Sequence, residues 1–533
     1  MSAQTRSATT ASPPARTRRL RGAAIGLLTA AFALGVAEVL ASFIDDQASP
    51  LVAVGNAAID ATPEWLKSFA IRTFGSNDKR ALMIGMIAVI AVLAVVLGIV
   101  SMRRPRVGLF GLMVLGAVGA IAAFNRPTGS VLSVIPSIGG AFAASYVLRW
   151  LLRAAQPQTA PPDMATATDA PPGMPGDVDR RRFLSASLTV GGAAFALGGL
   201  GRLNIARRFG AAEASRDALT IPVPADPLPP VAPGQVIDTP GISPFITPNV
   251  DFYRVDTAFI VPRVDTDSWR LTIHGMVDRE MELTFEQLMS REVIERDITI
   301  ACVSNEVGGP YIGNARWIGV PLKPLLEEAG VHPDADQIVS RSVDGFTVGT
   351  PTAVAMDGRD AMLAVSMNGE TLPFTHGFPI RMIVPGLYGY VSATKWLTDI
   401  ELTTFATYDA YWIDRGWAQQ APIKTESRID APRAGADVKV GTVMVAGVAW
   451  AQHRGIERVQ VRVDAGTWND ATLAKQDTTD TWRQWTWPWR VTSGQHTIEV
   501  RATDADGAAQ PEQRVPPFPN GATGWHTVQV NAS

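Results

Sequence analysis

Five long apolar stretches occupy most of the first 201 residues of this 533-residue chain. About 20 consecutive apolar residues in a helix span the hydrocarbon core of a bilayer, and a helix satisfies its own backbone hydrogen bonds there. The chain as a whole is 47% hydrophobic and 18% charged, which agrees with a membrane-embedded part. We therefore predict transmembrane helices over residues 22–44, 81–102, 107–124, 131–152 and 183–201.

Arginine clusters at the ends of these stretches predict their orientation. The clusters lie within residues 16–21, 103–106 and 180–182. By the positive-inside rule all three are cytoplasmic. Five crossings then place the N-terminus in the cytoplasm and everything after about residue 202 on the outer side. The sequence thus predicts a multi-pass protein of the cell membrane with a large extracytoplasmic C-terminal part.

Composition divides the chain into further segments. Pro, Ala and Thr dominate the region before the fifth helix and favour a flexible linker. In the last part of the chain, alternating β-type runs separated by Gly, Asp and Asn turns predict an immunoglobulin-like β-sandwich. The predicted segments are a cytoplasmic N-terminus (1–21), a four-helix transmembrane region (22–152), a cytoplasmic linker (153–179), a fifth transmembrane helix (180–201), a Pro-rich connector (202–240), an α+β domain (241–414) and the sandwich (415–533).

Two features of the membrane part permit more than one interpretation. Arg180-Arg-Arg-Phe-Leu184, followed by small apolar residues, is either an internal twin-arginine translocation signal or ordinary positive-inside anchoring. A twin-arginine route exports folded proteins, often around a cofactor, so a cofactor downstream favours that interpretation. Glu38, a carboxylate within the first helix, is either a proton or ion site or an interfacial side chain.

The histidines and the cysteine restrict the redox centres that the chain itself can hold. All six histidines lie beyond the last apolar stretch, so no histidine pair can hold a haem within the bilayer. One cysteine permits neither a C-x-x-C-H haem attachment nor an iron–sulfur cluster held by several cysteines. We therefore expect no haem and no iron–sulfur cluster. A net charge of -3 without a long basic block predicts no nucleic-acid partner.

The single cysteine, Cys302, ends an apolar β-type run and is followed directly by Val303 and the polar segment Ser304-Asn-Glu-Val-Gly-Gly309. A lone cysteine cannot form an internal disulfide. From the residues alone it is an inert buried thiol, a nucleophile or a soft metal ligand. For a cysteine hydrolase, His376 is the best candidate base, but no sequence pattern pairs it with Cys302.

Six motifs occur in a fixed order around Cys302. They are Phe252-Tyr-Arg-Val-Asp256, Trp269-Arg-Leu-Thr-Ile-His-Gly275, Ala301-Cys-Val-Ser-Asn305, Ala315-Arg-Trp-Ile-Gly-Val-Pro-Leu322, His376-Gly-Phe-Pro-Ile-Arg-Met-Ile-Val-Pro-Gly386 and Lys395-Trp-Leu397. Over about residues 240–533 this series resembles the sulfite oxidase family of molybdopterin-dependent oxidoreductases, in a membrane-anchored bacterial type. The resemblance implies the family's α+β molybdopterin-binding fold. It also implies that the C-terminal sandwich is a dimerisation domain, so a homodimer is expected.

The resemblance also implies roles for individual residues. Cys302 is implied as the thiolate ligand of molybdenum, beside the two dithiolene sulfurs of one molybdopterin, and Arg254 as the arginine near the metal and substrate. The remaining implied positions hold the pterin and its phosphate through side chains or backbone. The implied cofactor-binding residues are Tyr253, Arg254, Val255, Asp256, Cys302, Asp344, His376, Arg381, Ala393, Thr394 and Lys395.

Two departures from the family pattern concern the substrate. Family members that oxidise sulfite follow the ligand cysteine with an Ala-Gly-Asn-Arg-type run, whereas here the run is Val303-Ser-Asn-Glu306. The tyrosine expected before Met-Asn-Gly is Val365. Replacing a cation by an anion weakens the coulombic attraction for a dianion. The sequence therefore supports the cofactor more strongly than it supports sulfite.

The expected function is a two-electron oxygen-atom transfer on a small oxyanion or sulfur compound, outside the membrane. Because no haem or iron–sulfur ligands are present in the sequence, electrons are expected to pass to or from a separate cytochrome or quinone-linked partner. Two alternatives stay open. One is a reductase of sulfoxides or other oxides on the same cofactor, and the other is a membrane-anchored binding protein with a vestigial site.

Overall fold

The computed structural model describes residues 15–63, 66, 69, 73–74, 78–156 and 175–533. Most of the predicted cytoplasmic N-terminus and of the predicted linker lies outside the described residues. The chain divides into two compact units. One comprises the chain up to Arg208 together with Thr257–Ile260, and the other comprises Phe209–Asp256 together with Val261–Ser533.

Long helices dominate the first unit. In chain order the helices are α1 (Ala15–Ile44), α2 (Pro50–Ala61), α3 (Asp78–Ser101), α4 (Pro105–Phe124), α5 (Ile135–Ala155) and α6 (Pro175–Ala218). Within the described part of the chain, five helical stretches are long and apolar enough to cross a membrane, and each overlaps one of the predicted stretches. Large apolar side chains lie on the surface of α6, where Leu188 is 76% exposed and Phe195 86% exposed. Such a surface is compatible with lipid contact.

Small residues let α1 and α3 approach closely. A Cβ on Gly26 would lie 1.9 Å from the carbonyl oxygen of Ala94, and a Cβ on Gly98 would lie 2.1 Å from the carbonyl oxygen of Gly22. Helix pairs in lipid depend on such close packing, because lipid tails are as apolar as the side chains and supply no hydrophobic drive between helices. Larger side chains at these glycines would separate the two helices.

Helix α6 is longer than the sequence predicted. The predicted fifth span ends at residue 201 and the predicted connector begins at 202, whereas the helix continues to Ala218. Residues 202–218 contain no proline and are rich in Ala and Arg, which are favourable in helices. Pro222 is the first following residue that cannot supply the backbone N–H of a continuing helix. The connector therefore begins after Ala218.

Two sheets form the α+β part of the second unit. In the first, the strand order is β2-β1-β10-β5-β6 with β1 and β10 parallel, and in the second it is β3-β4-β7-β8 with β9 paired to β7. Short helices α7 (Phe285–Met289), α8 (Leu322–Ala329) and α9 (Thr352–Ala355) lie between strands. The strands are β1 (Arg270–Gly275), β2 (Met281–Thr284), β3 (Ile294–Ala301), β4 (Ile312–Pro321), β5 (Gln337–Ser342), β6 (Thr347–Pro351), β7 (Met362–Met367), β8 (Glu370–Thr371), β9 (Arg381–Ile383) and β10 (Leu397–Thr403).

The second of these sheets positions the cysteine. β3 is buried over its last five residues, as the apolar run before Cys302 predicts for a strand covered on both faces. It pairs antiparallel with β4, and Trp317 on β4 is fully buried with its indole N–H donating to the carbonyl oxygen of Ile298 at 3.2 Å. This anchor holds the strand that ends beside Cys302.

The C-terminal part is a β-sandwich, as predicted. Its sheets have the orders β11-β13-β17-β16 and β12-β19-β18-β14-β15. Residues from both sheets, including Val445, Trp485 and Ile498, share one fully buried core. The strands are β11 (Glu426–Ala431), β12 (Asp437–Val438), β13 (Gly441–Trp450), β14 (Ile456–Val463), β15 (Asn469–Asp470), β16 (Thr472–Leu473), β17 (Arg483–Val491), β18 (Gly494–Asp504) and β19 (His526–Ala532).

Candidate active site

Cys302 lies where β3 leaves the sheet. Its backbone N–H donates to the carbonyl oxygen of Tyr311 at 2.9 Å, and its Sγ lies 2.9 Å from the hydroxyl of Ser304. Burial raises the pKa of the thiol, while the hydrogen bonds with Ser304 and the positive charge of Lys395 act in the opposite direction. Coordination to a metal would remove the proton that burial otherwise retains.

The segment after Cys302 folds back through two turns. The N–H of Asn305 donates to the carbonyl oxygen of Cys302 at 3.0 Å, and the N–H of Gly309 donates to that of Glu306 at 2.7 Å. The side-chain oxygen of Asn305 accepts from the N–H of Tyr311 at 2.8 Å. Its amide nitrogen is buried and has no partner among the described residues, so it is available to a bound group.

A glycine turn brings three basic residues together. Gly377 has a φ of +115°, which favours glycine, and a Cβ at this position would lie 3.0 Å from the Cα of Lys395. The N–H of Trp396 donates to the carbonyl oxygen of Gly377 at 3.2 Å, and Arg381 donates from Nη1 to that of His376 at 3.4 Å. The fold thus places His376, Arg381 and Lys395 side by side.

Burial determines the charges of this group. Desolvation lowers the pKa of Lys395 to about 8, with the neighbouring Arg381 acting in the same direction and Asp256 against it. Desolvation also lowers the pKa of Arg381 to about 10. The pKa of His376 falls to about 3, through burial first and then through Arg381 and Lys395. At pH 7 the group therefore holds two poorly solvated cations beside a neutral imidazole, an arrangement that favours binding of an anion.

Asp256 lies between two of the predicted cofactor-binding cations. One carboxylate oxygen lies 3.0 Å from Nζ of Lys395 and 2.8 Å from Nε of Arg254, and the Asp256 side chain is only 6% exposed. Arg254, implied to lie near the metal, is thus an ion-pair partner of Asp256 in this structure. The sequence placed Asp256 among the pterin contacts but did not predict this bridging role, because no local pattern links it to Lys395.

Three buried polar atoms of the site have no protein partner in the part of the chain that the structure describes and could bind a cofactor. The Nε2–H of His376 donates to the carbonyl oxygen of Asn249 at 3.1 Å, which leaves Nδ1 as an acceptor. Within the described residues, Nδ1 of His376, Nε of Arg381 and the amide nitrogen of Asn305 have no partner. Buried polar atoms in proteins are nearly always hydrogen-bonded. Together with the thiol and the cations, they fit a polar, anionic group with soft sulfur ligands, such as a molybdopterin carrying its metal.

The other predicted positions differ in burial and in their place in the fold. Ala393 and Thr394 are buried immediately before the lysine. Asp344 lies in the turn between β5 and β6, and Val255 is 37% exposed. Their contacts with a cofactor remain predictions.

Comparison with known proteins identifies the family. Residues 258–412 match the family described as oxidoreductase molybdopterin binding domain, and residues 426–500 match the bacterial Ig domain family. Mitochondrial sulfite oxidase from Homo sapiens is 29% identical over 341 residues, covering 54% of this chain and 62% of the human protein. The uncharacterized oxidoreductase YuiH from Bacillus subtilis (strain 168) is 33% identical over 153 residues, covering 29% of this chain and 74% of that protein. The chain carries a sulfite oxidase-family molybdopterin-binding domain.

These matches confirm the predicted oxidoreductase class and its molybdopterin-binding domain, and they support a molybdenum cofactor. The match of residues 426–500 confirms the predicted C-terminal immunoglobulin-like domain. The prediction of a binding protein with a vestigial site is not supported. This chain spans about three-fifths of the length of the human sulfite oxidase that it matches. The crystal structure of the sulfane dehydrogenase SoxCD from Paracoccus pantotrophus aligns with 54% of this chain and 81% of that one, at 24% identity and a TM-score of 0.47.

Proposed function

We propose that this chain is a membrane-anchored oxidoreductase that holds one molybdenum–molybdopterin cofactor on the outer side of the membrane. It transfers an oxygen atom to or from a small oxyanion or sulfur compound. The observation that carries the proposal is the half-buried thiol of Cys302 beside buried cations and unpaired buried polar atoms. When bound, the cofactor supplies the two-electron couple and the oxygen-atom exchange, while the chain supplies binding, orientation and charge.

Each residue of the site has a distinct task in this proposal. Cys302 supplies a soft thiolate to the metal. Arg381 offers a planar fork and Lys395 a point charge, the two donor types that bind phosphate. His376 stays neutral at pH 7, because its pKa is about 3, and accepts a hydrogen bond from the pterin at Nδ1. Arg254 stabilises negative charge that develops on the substrate.

The two departures from the family pattern affect the choice of substrate. Val365 is buried on β7 and cannot donate the hydrogen bond of a tyrosine hydroxyl. Glu306 is exposed in the segment after Cys302 and contributes negative charge where sulfite-oxidising relatives carry a cation. These two residues favour a second candidate, the reduction of a neutral oxide such as a sulfoxide. Turnover measured in both directions, with sulfite and a redox dye and with sulfoxides and a reduced dye, distinguishes the two candidates.

In this proposal the membrane part anchors the enzyme and determines on which side of the membrane the active site lies. The five candidate spans and the arginine clusters at their ends support an active site on the outer side, and in this proposal the Arg180 to Leu184 motif serves as an internal twin-arginine signal. A cytochrome or a quinone-linked protein exchanges electrons with the enzyme, and the sandwich pairs two copies into a homodimer. Accessibility of introduced cysteines from each side of the membrane, in a Cys302→Ala background, tests the orientation.

Metal analysis tests the core of the proposal. Full-length protein from a molybdate-replete host should contain about one molybdenum per chain, and Cys302→Ala should contain almost none. Ser304→Ala is the matched control, because it removes the heteroatom beside the thiol but no ligand. Wild-type protein free of molybdenum refutes the proposal, as does Cys302→Ala that retains the full metal content.

A further inference from the structure

The β-sandwich contacts the segment that follows Cys302. On β11, Arg428 donates from Nη1 to the carbonyl oxygen of Gly309 at 2.9 Å. On β19, the ring of His526 lies against Gly308, where a Cβ would come within 2.2 Å of the imidazole Nε2. Two strands of the C-terminal domain therefore meet the same short segment, which runs from the cysteine back into β4.

All three side-chain nitrogens of Arg428 donate hydrogen bonds to protein oxygens. Its side chain is 10% exposed, Nε donates to Asp430 at 2.6 Å and Nη2 donates to the hydroxyl of Ser243 at 2.9 Å. The N–H of Ser243 in turn donates to Asp430 at 3.0 Å. This network joins the sandwich to the Cys302 segment and to the stretch of chain that leads to Tyr253–Asp256. Charge-assisted hydrogen bonds in a buried network are strong and geometrically specific.

His526 is fixed in one tautomer. Its Nδ1 accepts from the N–H of Ile429 at 2.9 Å, so Nε2 carries the hydrogen. Burial, with Arg428 acting in the same direction, lowers the pKa of the ring to about 4, and the ring is therefore neutral at pH 7. Gly308 has a φ of +78°, a conformation that favours glycine. The rigid ring therefore sets how closely the Cys302 segment approaches the sandwich.

We propose that Arg428 and His526 are positioning residues for the metal ligand. They hold the backbone from Ser304 to Gly309 so that the thiol of Cys302 faces the cofactor, which makes the β-sandwich part of the metal centre. This inference rests on the proposed role of Cys302 as the ligand. Neither side chain contacts the thiol, so both act through the backbone. A misplacement of about 1 Å at a reacting centre lowers turnover by about 10²-fold.

The thiol itself reports how well this segment is held. Because Cys302 is the single cysteine, its rate of reaction with a disulfide reagent in cofactor-free, full-length protein measures local opening of the segment. Arg428→Gln should raise this rate at least about tenfold, because it removes the charge-assisted hydrogen bond that Arg428 donates to Gly309 in this segment. Arg458→Gln is the matched control, since it removes an exposed arginine that pairs with Asp470 on the same sandwich. An unchanged rate in folded Arg428→Gln protein overturns the proposal.

The loaded enzyme gives an independent readout. In molybdenum-bearing Arg428→Gln we expect kcat to fall by about 10²-fold while KM changes little, together with an altered paramagnetic resonance spectrum of the partly reduced metal. A purely structural role would lower the melting temperature and leave the spectrum of each bound metal unchanged, and that result also overturns the proposal. Wild-type protein without molybdenum would instead refute the proposed function, while the thiol measurement still tests the positioning.

The second contact supplies a test that does not depend on Arg428. Gly308→Ala drives a Cβ into the ring of His526 and should raise the thiol reaction rate, and adding His526→Ala removes the clash and should reverse part of the increase. Residues in contact show such non-additive effects, whereas independent residues do not. Strictly additive effects of the two substitutions on the thiol reaction rate would contradict a positioning role for the contact between His526 and Gly308. If Arg428→Gln does not fold, Arg428→Lys takes its place in the thiol assay. The lysine keeps the positive charge beside Asp430 but lacks the forked N–H donors of the guanidinium.

Discussion

Lys395 provides a clear test of the site, because its positive charge is proposed to bind the cofactor but lowers the stability of the cofactor-free protein. Its ammonium group is 10% exposed and pairs with Asp256 at 3.0 Å, yet desolvation still lowers its pKa from 10.5 to about 8. A cation kept in such a place destabilises the empty protein and is useful only when an anion binds. Lys395→Met removes the charge and keeps most of the volume.

The magnitude follows from the pKa. Below pH 8 both the folded and the unfolded chain hold the proton, and the folded chain holds it less favourably. At about 1.4 kcal/mol per pH unit, the gap between 8 and 10.5 corresponds to about 3 kcal/mol. Between these two pH values the unfolded chain binds more protons than the folded chain, so stability of the wild type rises with pH. Lys395→Met should therefore be about 3 kcal/mol more stable at pH 7, and its advantage should shrink as pH approaches 10.5.

Thermal unfolding of cofactor-free, full-length protein in detergent, followed by tryptophan fluorescence at several pH values, measures this difference. We expect a melting temperature about 3–5 °C above wild type at pH 7. The same variant should retain less cofactor when produced with molybdate. Lys323→Met is the matched control, because Lys323 is 42% exposed and its loss should change stability by less than about 0.5 kcal/mol. A Lys395→Met protein that is less stable than wild type at pH 7, or whose advantage does not depend on pH, refutes the reasoning.

Three further predictions concern charge. Glu306→Arg should lower KM for sulfite about tenfold, because it replaces repulsion of the sulfite anion with attraction. Steady-state kinetics at low salt measure this change, and a raised KM would contradict the prediction. Arg316→Met should lower the free energy of unfolding by about 3–5 kcal/mol, because it leaves the fully buried carboxylate of Asp297 without its ion-pair partner. Denaturant titrations measure this loss, and a loss below about 1 kcal/mol would contradict the prediction. Burial and neighbouring cations lower the pKa of His376 from 6.5 to about 3, so the stability of cofactor-free protein should fall as pH drops between these two values. In His376→Gln, stability measured against pH should change less over the same range.

Much of the fold could be predicted because its signals are local. Each of the five apolar stretches overlaps a helix of spanning length, and the alternating runs after residue 415 correspond to the sandwich. The end of α6 was misplaced, since apolar composition stops near residue 201 while helix-forming residues continue to Ala218. Hydropathy locates a span but does not locate the end of a helix.

The site was predictable in part. The motifs named His376, Arg381 and Lys395, and the Gly377 turn brings these residues together. The motifs named Asp256 as well but gave no indication that it bridges Arg254 and Lys395. Only the fold joins residues from such distant positions in the chain.

By itself, the sequence determined the long apolar stretches, the order of the domains and the presence of a single thiol within six ordered motifs, because these depend on residue identity and short-range pattern. Tertiary structure alone decided which charges are neighbours and which are buried. Burial turns Lys395 into a cation with a pKa of about 8, and long-range folding brings Arg428 to Gly309 beside the Cys302 segment. Desolvation and pairing across the chain depend on where distant residues meet, and no local pattern in the sequence records that.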